Sequence, residues 1–148
     1  MDPYVILTCR TQEQKSSVAK GAGSEPEWNE TFIFTVSDDT PQLHLKIMDS
    51  DITADDFVGE AAISLEALFQ EGSLPPTVHP VVKEEKYCGE IKLALTFTPE
   101  VVYHYMSLET SLLMQQSSHL AACITSQCNA NLMSILIQET RHHDSSWN

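Results

Sequence analysis

Positive charge is scarce in this chain: eight lysine and arginine residues stand against 21 aspartate and glutamate residues among 148, a formal net charge of −13. Such a surface repels nucleic-acid phosphates and the anionic inner leaflet of a membrane, so any anionic partner requires a cationic bridge. Long apolar runs are missing too, since none approaches the roughly 18 unbroken residues of a membrane-spanning helix. The opening Met1-Asp2-Pro3-Tyr4 has neither the basic start nor the apolar stretch of a secretory signal, so a cytoplasmic location is expected. In that reducing compartment Cys9, Cys88, Cys123 and Cys128 are expected as free thiols, and the Asn29-Glu30-Thr31 sequon as idle. No Ser/His/Asp or Cys/His grouping and no phosphate-cradling glycine loop stands in a context that supports catalysis, so a binding role is expected rather than an enzyme.

What is present, from residue 1 to about 99, is a series of short alternating segments. Phe32, Phe34 and Val36 alternate with Thr31, Ile33 and Thr35; Leu43, Leu45 and Ile47 with His44, Lys46 and Met48; Ile91, Leu93, Leu95 and Phe97 with Glu90, Lys92, Ala94 and Thr96. A period of two with one wet face predicts strands. Tyr4 to Arg10, Gln14 to Ala19, Glu30 to Val36, Leu43 to Met48, Val58 to Leu65, Val78 to Val82 and Gly89 to Phe97 make about seven. Gly-, Pro- and Asp-rich turns separate them, and only Leu65 to Gln70 has the look of a short helix. The pattern predicts an all-β, antiparallel Greek-key sandwich.

Composition shifts after Pro99, where Ser, Gln, His and Asn become frequent and alternation fades. Residues 1–99 are therefore read as one domain and 100–148 as a tail, poorly ordered or partly helical, with Leu132, Ile135 and Leu136 at helical spacing. His119, Cys123, Cys128, His142 and His143 offer zinc-binding residue types, but their irregular spacing favours scattered tail residues over a metal site.

The chemistry concentrates between the fourth and fifth expected strands. Asp49, Asp51, Asp55 and Asp56 place four carboxylates within eight residues. Like charges packed this closely oppose one another's ionisation, and a hard divalent cation relieves the cost. Calcium accepts six to eight oxygens in a tolerant geometry, so it suits a flexible loop better than magnesium does. Asp49 and Asp51 alternate in one direction, Asp55 or Asp56 closes from the far side, and Asp2 adds a carboxylate from another strand. The competing reading is an acidic, solvated turn without an ion. An EF-hand is excluded by context, because Ala54 stands where the sharp turn wants glycine and strands flank the loop.

Three ordered segments carry a family resemblance: Asp2-Pro3-Tyr4-Val5; Pro26-Glu27-Trp28-Asn29-Glu30-Thr31-Phe32-Ile33-Phe34; and Asp49-Ser50-Asp51 followed by Asp56-Phe57-Val58-Gly59-Glu60. Together they resemble the signatures of C2 domains, over Met1 to about Pro99, and in wording and length are most similar to the small plant elicitor-responsive single-domain proteins. The resemblance implies an eight-stranded sandwich that gathers aspartates around Ca2+ at one end and then docks on anionic phospholipid, in plant defence or signalling. Carried over, the metal set is Asp2, Asp49, Asp51, Asp55 and Asp56, with Asp55 and Asp56 competing for the closing position. Ile52 at the loop crest and the small basic pair Lys15 and Lys20 become the lipid contacts, and calcium rise would bring the protein to the plasma membrane as a peripheral partner. Seven strands rather than eight imply that the family's first strand is missing here. The alternatives are therefore a calcium-independent module that binds a protein partner, or a truncated product without independent function.

Overall fold

Alternation of apolar and polar residues sets the architecture of the computed structural model, which describes residues 1–99 and 131–142. Eight strands form: β1 (Pro3–Cys9), β2 (Gln12–Lys15), β3 (Glu27–Val36), β4 (Gln42–Asp49), β5 (Asp56–Ser64), β6 (Ser73–Lys83), β7 (Lys86–Thr98) and β8 (Asn131–His142), with one short helix, α1 (Glu66–Glu71). All neighbours are antiparallel, in the order β2-β1-β4-β5-β6-β7-β8-β3. Between β5 and β6 the ladder thins to the single pair Glu60 and Val82, and there the sheet folds over into two layers. Gly59 sits at this fold because a Cβ would come within 2.6 Å of the Val81 side chain. The chain crosses from β2 to β3 in the far layer and back to β4 beside β1, a Greek-key type of crossing.

Every second residue of the strands points into one core. Val5, Leu7 and Cys9 of β1, Leu43, Leu45 and Ile47 of β4, and Val58, Ala61 and Ile63 of β5 meet Trp28, Phe32, Phe34 and Val36 of β3, Ile91, Leu93 and Leu95 of β7, and Met133, Ile135 and Ile137 of β8. Helix α1 adds the fully buried Leu68 and ends at Gly72, whose φ of 84° lets its N–H donate to the Leu68 carbonyl. The free edges of β2 and β3 are stitched by side chains rather than by a ladder. Gln12 bonds both the carbonyl and the N–H of Thr35, Gln14 donates to the Ile33 carbonyl, and the Trp28 indole N–H donates to Ser17. Edge groups satisfied in this way are poor templates for pairing with another chain.

The structure revises three expectations. The sandwich has eight strands where seven were expected. The additional strand comes from the tail: Leu132, Ile135 and Leu136 are not one helical face but successive positions of β8, with Ile135 in the core and Leu132 outward. Helical spacing misled because Leu132 and Leu136 lie on the outer face, while the period-two set Met133, Ile135, Ile137 carries the burial. Consequently Pro99 is not the end of the sandwich, since residues 131–142 complete the layer between β7 and β3. Finally β2 stops at Lys15, and residues 16–19 are not strand.

Candidate functional site

The strands bring the acidic residues to one end of the sandwich. Asp49 closes β4 directly opposite Pro3 on one side and opposite Asp56, the first residue of β5, on the other. The connecting residues 50–55 form a loop with Asp51 to Asp56 exposed. Asp2 precedes β1, which lies beside β4, so the topology brings Asp2, Asp49, Asp51, Asp55 and Asp56 to one end of the sandwich.

Each of the resolved carboxylate contacts is to an N–H or O–H donor. Asp2 donates its backbone N–H to Asp49 Oδ1 at 2.8 Å, and Gly21 donates its N–H to Asp2 Oδ1 at 2.7 Å. Ile52 N–H donates to Asp51 Oδ1 at 2.6 Å. Asp55 is held twice: the Tyr4 hydroxyl donates to Oδ2 at 2.6 Å and the Asp51 N–H to Oδ1 at 3.1 Å. The Tyr4 bond, then the Asp51 amide, with help from Lys15, hold the Asp55 carboxyl below the usual carboxylate range. The same bond, reinforced by desolvation and the Asp55 charge, pushes the Tyr4 hydroxyl up to about 12.

The donor set is all oxygen, which is the chemistry calcium selects. Among the described residues, however, no three His, Cys, Asp or Glu side chains stand grouped so as to hold a metal ion. The carboxylates of Asp2, Asp49, Asp51 and Asp55 are instead bonded to backbone amides and the Tyr4 hydroxyl. Ile52 projects from the same loop, fully exposed. Lys15 acts on Asp55, and Lys20 precedes the Gly21 that holds Asp2, so both lysines flank the acidic end. Of the zinc candidates, His119, Cys123, Cys128 and His143 lie outside the described residues, and of His142 only the backbone is described. The described Cys9 and Cys88 are free and buried.

Sequence reasoning missed Tyr4 and Gly21. Their positions carried no signal of their own, since each meets an aspartate only through strand pairing or loop return.

The C2 domain family model matches residues 1–81, the segment from β1 into β6 that contains all five aspartates. The chain belongs to the C2 domain family. Its C2 domain is 68% identical over 101 residues to elicitor-responsive protein 3 of Oryza sativa subsp. japonica, a match covering 68% of this chain and 70% of that protein. It is 65% identical over 100 residues to 16 kDa phloem protein 2 of Arabidopsis thaliana, covering 67% of this chain and 68% of the other. A solved structure of a C2 domain-containing protein from a putative elicitor-responsive gene superposes on this C2 domain with a TM-score of 0.63 at 64% identity, covering 68% of this chain and 74% of that one. Strand β8 begins 50 residues beyond the last residue that the family model matches, as 131 − 81 = 50.

Proposed function

We propose that this C2 domain is a calcium-dependent, peripheral phospholipid-binding module, without catalytic activity, that serves signalling or defence in a plant cell at the inner face of the plasma membrane. The observation that carries this reading is the convergence of Asp2, Asp49, Asp51, Asp55 and Asp56 at the same end as the fully exposed Ile52. Bound calcium supplies the positive charge that an anionic headgroup needs. The chain's own residues do the rest. Asp49 and Asp2 are prealigned by the Asp2 N–H bond, Asp51 and Asp55 exchange their present donors for the ion, and Ile52 is left free to enter the headgroup region. Lys15 and Lys20 add a minor electrostatic attraction at the flank. The defence and signalling context is supported by the names of the elicitor-responsive and phloem relatives.

A second reading is favoured by one observation: the carboxylates already have protein donors, which suits a calcium-independent module that binds a protein partner. Calcium titration followed by thermal melting separates the two. Binding to the folded state at 100 times the dissociation constant raises stability by about 2.7 kcal/mol. A melting temperature that climbs with calcium and returns with chelator supports the first reading, and a flat titration supports the second.

A further inference from the structure

We infer that the Tyr4 hydroxyl is a latch on the acidic loop: it holds Asp55 toward the outer face of the sheet, away from Asp49, and so raises the calcium concentration at which the loop responds. The inference rests on the calcium reading above and names what regulates that same site. Three observations carry it. The first is the face on which each group stands. Val5, Leu7 and Cys9 of β1 point into the core, so Tyr4 belongs to the outer face, whereas Asp49 continues the inward row of Leu43, Leu45 and Ile47 on β4. Tyr4 pairs with Met48, and Asp49 pairs with Pro3, one step further along both strands. The Tyr4 hydroxyl, donating to Asp55 Oδ2 at 2.6 Å, therefore holds this carboxylate from the face that Asp49 does not share.

The second observation is the seating of the donor. Tyr4 is only 8% exposed although it faces outward, and the half-buried Met48 and Phe57 stand in the same cross-strand row. A ring enclosed in this way has little freedom, so its hydroxyl is a fixed post rather than a mobile surface group. The third is what the post holds. The Asp51 N–H donates to Asp55 Oδ1 and the Ile52 N–H to Asp51 Oδ1, so one chain of bonds runs from β1 through Asp55 to the exposed Ile52. Lys15, paired with Ile6 at the edge of the sheet, attracts Asp55 as well. Asp2 and Asp49 are already joined through the Asp2 N–H, so Asp55 is the carboxylate that must change partner to face them. A ligand that takes only the released loop binds more weakly in proportion to the fraction released. A hydrogen bond to a charged group sets that factor at roughly tenfold or more.

Calorimetric titration of calcium into the full chain and into Tyr4→Phe, with amide exchange of both metal-free chains followed by NMR, tests the inference. Phenylalanine keeps the enclosed ring and removes only the hydroxyl. In the metal-free variant the Asp51 and Ile52 N–H groups are expected to exchange roughly fivefold faster or more, while the Gly21 N–H bonded to Asp2 is unchanged. The variant is expected to bind calcium about tenfold more tightly, whereas a tyrosine of merely structural importance would give weaker binding on removal. If the unaltered chain binds calcium and Tyr4→Phe binds it no more tightly, the latch is overturned and the calcium reading stands. If neither chain binds calcium, both fall. Unchanged exchange at Asp51 overturns the latch whatever the titration gives.

Discussion

Replacing Ile135 by alanine separates the strand from the helix reading of residues 131–142. Ile135 is fully buried, with Phe32 opposite on β3 and Leu95 opposite on β7, in the middle of the far layer. Truncation loses the transfer free energy of the removed carbons and leaves a cavity that two flanking ladders resist closing, so a loss of about 2–4 kcal/mol is expected. For a domain of this size that is a drop of roughly 8–20 °C in melting temperature. Leu136, next in sequence, faces outward between Thr31 and Ala94, and Leu136→Ala is expected to cost less than about 1 kcal/mol. Urea unfolding followed by tryptophan fluorescence reads both, since Trp28 lies in the same layer. If the two substitutions cost the same, the residues share one face as they would on a helix, and the strand assignment fails.

Other outcomes follow from single contacts. Tyr4 is held neutral by Asp55, with its ionisation raised from 10.0 to about 12, so the stability that this bond contributes is complete below pH 10 and is lost as pH rises toward 12. Tyr4→Phe is expected to remove that alkaline step from a pH series of melts, and a step of unchanged size refutes the assignment. The Asp55 carboxyl, lowered in the fold, contributes stability above its unfolded value of 3.8 that disappears as pH falls below it. In Tyr4→Phe its titration, followed by carboxyl carbon NMR, should shift upward toward the ordinary value. Gly59→Ala drives a methyl group to 2.6 Å from Val81 at the fold between layers, and should cost about 1–3 kcal/mol in denaturant unfolding. Asp49→Ala with Asp51→Ala should abolish calcium-dependent binding to phosphatidylserine vesicles while lowering stability by only about 1 kcal/mol, the cost of freeing the Asp2 N–H.

Much of the fold was legible because its strands obey one rule. Phe32, Phe34 and Val36, or Leu43, Leu45 and Ile47, alternate with mostly polar neighbours and point to a single core. Strand β8 was illegible because Leu132 and Leu136 on its outer face mimic a helical stripe beside Ile135, and because it pairs with strands 33 and nearly 100 residues away. The pairing of β8 with β3 is a matter of long-range topology that local periodicity does not encode. At the site, clustering of Asp49, Asp51, Asp55 and Asp56 in one loop was plain from spacing, and the approach of Asp2 follows from β1 lying beside β4. What holds those carboxylates was not legible. Tyr4 reads as an ordinary strand residue until its hydroxyl is seen on Asp55, and the Gly21 amide reaches Asp2 only through the return of the loop between β2 and β3.

The central claim is that calcium converts the acidic end into a surface for anionic lipid. Co-sedimentation of the full chain with phosphatidylserine vesicles, in calcium and then in chelator, tests it most directly. Pelleting with calcium that is reversed by chelator is the expected result. Pelleting that is the same in both, or absent from both, contradicts the account.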